Sequence, residues 1–190
     1  MSIYNIIPAV STLMWLLIGI RQFKGTWGWF FMINGLSGLI AVSFIFIPGI
    51  TPDRIYVSYM FLILFSLNYK FFDKYKYRLI PTSLTLIIPA LFLEHTTINS
   101  LLIASEIVVL LYFGRKFLLS LFNNNRLNLF FLGISFYAII GIYKIAWLTI
   151  MQWEGVDLFE LANIFHPIMM LPFLFILHDD KRLSIELRRK

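Results

Sequence analysis

Cysteine is absent from the 190 residues, which excludes disulfides, thiolate metal sites and thiol nucleophiles. Charge is scarce too. Asp, Glu, Lys and Arg together make up 14% of the chain, against roughly 25% in soluble domains. Histidine occurs three times, at His95, His166 and His178. No Gly-rich phosphate loop, nucleophile elbow or Glu-x-x-His ligand pattern occurs, so nucleotide, serine-hydrolase and zinc chemistries lose their usual sequence signatures. Internal repeats and low-complexity segments are also missing.

What is present is apolar. Hydrophobic residues make up 59% of the chain, Phe alone contributes 20, and the mean hydropathy is +0.81. A water-soluble fold has too little polar surface to cover such a chain, whereas a bilayer removes the need. The composition predicts an all-α, polytopic integral membrane helix bundle, with residues 1–190 as a single transmembrane domain and the lipid bilayer as its first partner.

A spanning helix needs about 20 predominantly apolar residues. Seven stretches approach that length, over residues 5–20, 27–47, 54–69, 79–93, 98–113, 127–149 and 159–177. Residues 178–190 follow as a basic tail, read either as a short interfacial helix or as a strand. The fourth and fifth stretches are short. Either they sit in a thinned patch of bilayer, or the fifth continues past Arg115 and Lys116, whose long stems snorkel; a re-entrant hairpin over residues 79–113 would instead leave five full spans. Turn residues punctuate the connections at Pro48-Gly49, Thr51-Pro52-Asp53 and Asn123-Asn124-Asn125.

Placing the charges orients the bundle. Fourteen of the 16 Lys and Arg residues fall on one side: Arg21, Lys24, Lys70, Lys74, Lys76, Arg78, Arg115, Lys116, Arg126 and the tail. The opposite side receives Arg54 with Asp53, Glu94, Glu154, Asp157 and Glu160, while Lys144 lies within a span. By the positive-inside rule the amino terminus is outside, the carboxyl terminus is cytoplasmic, and the expected residence is the cell (inner) membrane. The net charge of +6 is therefore topological and predicts no nucleic-acid partner. Residues Met1 to Asn5 carry no basic side chain and no cleavage site follows, so the first span is expected to be retained. Gly35, Gly38, Gly133 and Gly141 mark expected close approaches between helices.

Ionisable groups at membrane depth are costly and by default mark functional sites. Glu106, Lys144 and His166 sit in the outer halves of their spans. Helical spacing puts Gly133, Tyr137, Gly141 and Lys144 on one face, and Asn163, His166 and Met170 on another. Facing these surfaces across Glu106 gives an outward-opening polar pocket of Glu106, Lys144, His166, Asn163 and Tyr137. The plainer expectation is a snorkelling Lys144, a structural Glu106–Lys144 pair and a His166 that bonds a neighbouring helix. Glu94, His95 and His166 are the weak candidates for a metal, and no cofactor is predicted. Asn34, Ser37, Ser66 and Asn68 are expected to be structural.

The leading functional expectation is non-enzymatic: a small or lipid-like ligand bound in the outer-half pocket of a sensor or transporter component. The alternatives are a membrane-embedded subunit, whose basic cytoplasmic loops and tail dock a protein partner, and a lipid-active intramembrane enzyme.

Overall fold

Helices account for nearly all of the computed structural model, which describes residues 3–44, 52–147, 156–175 and 184–187. Side chains are described within these ranges except at residues 3–8, 44, 52–53, 156–164 and 166. The chain runs α1 (Ile3–Gln22), α2 (Gly28–Phe44), α3 (Pro52–Ser66), α4 (Tyr69–Thr85), the single turn α5 (Ile87–Ala90) and α6 (His95–Asn124). Then come β1 (Arg126–Asn128), α7 (Leu129–Ala146), α8 (Val156–Phe175) and β2 (Ser184–Glu186).

The fold is all-α apart from one two-stranded ribbon. Two helices, α6 and α7, are long and apolar enough to cross a membrane by length and composition, among the described residues. Shorter apolar stretches lie at Ala9–Gln22, Gly28–Ser43 and Arg54–Ser66.

Glycine sets the tightest seam. The hairpin of α1 and α2 is antiparallel, because Gly19 meets Met32, Gly35 meets Leu16 and Gly38 meets Thr12. A Cβ on Gly35 would stand 2.7 Å from the Leu16 nitrogen, so only a bare backbone allows this approach. Outside this pair, α3 packs on α2 and α6, α7 on α6, and α8 on α1 and α7.

The core of these helices is aromatic. Trp15, Trp27, Phe30, Phe31, Phe113, Phe130, Tyr137 and Phe173 are all buried in one cluster. Trp27 stands 4.9 Å from Phe113, and Phe130 meets Phe173 edge-on at 5.4 Å, centroid to centroid. Such offset and T-shaped pairs suit the ring quadrupole and contribute about 0.5–1.5 kcal/mol each beyond their burial.

Buried hydroxyls are satisfied inside their own helices. Ser37 donates to the Asn34 carbonyl at 2.9 Å, Ser66 to Ile63 at 2.6 Å, Ser105 to Leu102 at 2.8 Å and Ser135 to Phe131 at 2.8 Å. Asn34 donates to the Phe30 carbonyl at 2.8 Å, and Asn68 caps α4 by accepting from the Phe71 amide. Asn34, Ser37, Ser66 and Asn68 thus each hold local backbone, the structural role expected of them.

Several expected boundaries are corrected. The first helix continues past residue 20 to include Arg21 and Gln22, which donate to the Phe175 and Phe173 carbonyls at 3.2 and 3.3 Å. Those carbonyls lie in the last turn of α8, where a cation is favoured by the helix dipole. The third stretch stops at Ser66, short of Tyr69. Residues 70–78 are helical rather than a turn, because Asn68 caps them and Phe72 anchors them, fully buried beside Ile33, Tyr59 and Leu62. The fourth stretch, 79–93, is no single helix, being divided at Leu86 between α4 and α5 and finished by a turn. Its far end is held by Arg54, which donates to the Leu91 carbonyl.

The fifth helix does pass Arg115 and Lys116, ending at Asn124 with Asn125 in the left-handed region at φ 52°. Its 30 residues span about 45 Å, more than the roughly 30 Å of a hydrocarbon core. The sixth stretch, α7, starts at Leu129, where Asn128 accepts from the Phe130 and Phe131 amides at 3.0 and 3.2 Å; Trp147 keeps helical dihedrals after Ala146, and the expected end at residue 149 lies outside the described residues. The last helix begins earlier than residue 159, at Val156, so Asp157 belongs to it as well as Glu160. Of the tail, residues 184–186 form a strand and no helix. Arg126, Leu127 and Asn128 pair antiparallel with Glu186, Ile185 and Ser184. The Pro48-Gly49 turn, Trp153, Glu154 and the tail's basic residues lie outside the described residues.

Candidate functional site

Three of the four residues on the face predicted for α7 meet three different helices. Gly133 opposes the Phe173 ring of α8, with a hypothetical Cβ only 2.8 Å from that ring's Cζ. One turn on, Tyr137 is 8% exposed and packs edge-on against Trp15 of α1, centroids 4.9 Å apart. The next turn brings Gly141 against the Glu106 carboxyl of α6. A Cβ there would stand 3.1 Å from Cδ and 3.3 and 3.4 Å from the two oxygens. Helical spacing predicts this ladder because residues separated by four lie on one stripe.

Glu106 is the one acidic residue in the interior of α6. Its seat follows from size: the carboxyl occupies the volume that any side chain at residue 141 would need. Lys144 lies one turn further along α7 and is half-buried. Tyr137, expected to line an outward-opening pocket, is packed in the buried aromatic core.

Asn163 and His166 both fall within α8, and their side chains lie outside the described residues. Met170, on the same stripe by spacing, is fully buried in the core cluster. Glu94 flanks α6 at its N-cap without a side-chain bond, and His95 is the first residue of that helix. Among the described residues, no three His, Cys, Asp or Glu side chains are grouped to hold a metal ion.

Two residues around this face were not predicted from the sequence. Trp15 is the ring partner of Tyr137, and buried Gln22 ties α1 to α8. A tryptophan in mid-span, away from either interfacial belt, is the signal that marks Trp15. Compared with protein-family models, curated proteins and solved structures, the chain matches none.

Proposed function

We propose that this chain is a polytopic membrane protein of seven spans that binds a small or lipid-like ligand around Glu106, as a sensor or transporter component. The amino terminus is outside and the basic turns are cytoplasmic. Support for the lipid setting comes from the outward faces, which stay apolar. Leu13, Leu17 and Ile20 on α1 are exposed, as are Leu101, Val108 and Leu111 on α6 and Phe136 and Ile139 on α7. Soluble monomers rarely expose such continuous apolar surface.

The observation that carries the functional reading is the Glu106 carboxyl seated on Gly141. A carboxyl at membrane depth is costly and persists where it exchanges protons or meets a ligand group. Lys144, one turn away, supplies a cation for an anionic group, and Asn163 and His166 complete the polar set from α8.

The test uses purified full-length protein in liposomes, probed with dicyclohexylcarbodiimide, an apolar reagent for protonated carboxyls. Wild type is modified at Glu106 and carries protons down an imposed pH gradient, and Glu106→Gln abolishes both. Modification undiminished in Glu106→Gln, with proton flux no greater than in empty liposomes, overturns the reading. A specific protein retained through mild-detergent purification favours the subunit alternative instead.

A further inference from the structure

The cytoplasmic half of α6 carries an open apolar trough that begins one turn beyond Glu106. It is bounded by two rows of residues, Leu110, Gly114, Leu118 and Phe122 on one side and Leu111, Arg115, Leu119 and Asn123 on the other. Its volume is about 470 Å³, and it runs for about 20 Å along the helix. Leu111 is 66% exposed and Phe122 75%, so no described part of the chain covers it.

Charge identifies what does. Arg115 is exposed within the trough and has no carboxylate partner among the described residues. The two described carboxylates at this end are committed elsewhere. Asp73 bonds Lys76 at 2.7 Å, a hydrogen bond that raises the lysine above its usual pKa, and Glu186 pairs with Arg126. Lys116 lies over the Trp27 and Tyr112 rings at 5.5 and 5.2 Å. A second copy of this chain would bring another Arg115, and like charges would oppose the contact. The fitting occupant is an anionic amphiphile.

We infer that the trough binds one anionic phospholipid of the inner leaflet. Arg115 holds the phosphate, and an acyl chain lies along Leu110, Leu111 and Gly114 towards the middle of the helix. This rests on the membrane reading above. The cation supplies the headgroup preference and the leucines supply the chain contact.

Native mass spectrometry of the full-length protein in mild detergent tests it, with dioleoyl phosphatidylglycerol and dioleoyl phosphatidylcholine as probes. The expected result is one retained phosphatidylglycerol, preferred about fivefold, which is what one cation contributes near an anionic surface. Arg115→Gln removes that preference, Arg115→Lys keeps most of it, and Lys74→Gln leaves it unchanged. Leu111→Gln weakens retention of both lipids. Equal retention of the two lipids by wild type, or a preference that survives Arg115→Gln, overturns the inference. So does an acidic protein that occupies the face in place of lipid. Release of the protein from membranes by alkaline carbonate would sink the membrane reading itself, and is scored separately.

Discussion

Glu106 presses its carboxyl against the bare backbone of Gly141, and this contact couples two residues that sit on different helices. A leucine at residue 141 would have to displace the carboxyl, and overpacking of this kind costs about 1–3 kcal/mol. Shortening Glu106 to alanine vacates the space that the leucine needs. We therefore expect Gly141→Leu to lower the melting temperature in detergent, and Glu106→Ala/Gly141→Leu to recover part of the loss. The coupling should be about 0.5 kcal/mol or more, as for side chains in contact. Purely additive effects in the thermal melts would show that the two residues do not share that volume. The glycine was legible in the sequence as a small residue on the right stripe. That Tyr137 turns to Trp15 was not legible, because spacing gives the face of a residue and not which neighbouring helix will fill it.

At the scale of elements, α4 is where sequence reading and structure part most clearly. The run from Lys70 to Arg78 is dense in cations, and charge density reads as a turn between spans. The helix forms nonetheless because its apolar stripe is narrow: Phe72 and Ser83 are buried, while Lys70, Lys74 and Tyr77 face outward. Phe71 stacks on Phe65 at 5.5 Å, and Lys76 lies over the Trp29 ring at 5.2 Å. Aromatic rings thus give the basic segment something to lie on. Because the natural chain has no cysteine, single cysteines can be placed along residues 69–84 without further engineering. Their reactivity towards a water-soluble maleimide should rise and fall about every 3.6 residues, with minima at Phe72 and Ser83. Uniform high reactivity would mean an unstructured loop. The long apolar helices were legible from composition alone. The ends of α6 and α7 were harder, since Asn125, Asn128 and the ribbon set them by capping rather than by hydropathy.

At the scale of the whole molecule, the described contacts bring Lys116 of α6 to the start of α2 and the end of α3. Trp27, Tyr112 and Lys116 stack there, and the Tyr112 hydroxyl donates to the Leu67 carbonyl at 2.7 Å. Arg54 and Leu91 meet at a different end of α3. On the proposed topology, a membrane-impermeant maleimide applied to sealed cells should miss Lys74→Cys and label Glu94→Cys. After lysis both should react. Labelling of Lys74→Cys in intact cells would turn the topology over. Just past α6, the Asn125 amide donates to the Leu187 carbonyl at 3.0 Å and the Leu187 amide to the Asn125 carbonyl at 2.9 Å, latching the ribbon. The latch joins segments about sixty residues apart, so α7 and α8 are enclosed in a stitched loop. During synthesis the α6–α7 corner leaves the ribosome well before its mate, and must wait with an open edge until Ser184–Glu186 arrives to close it.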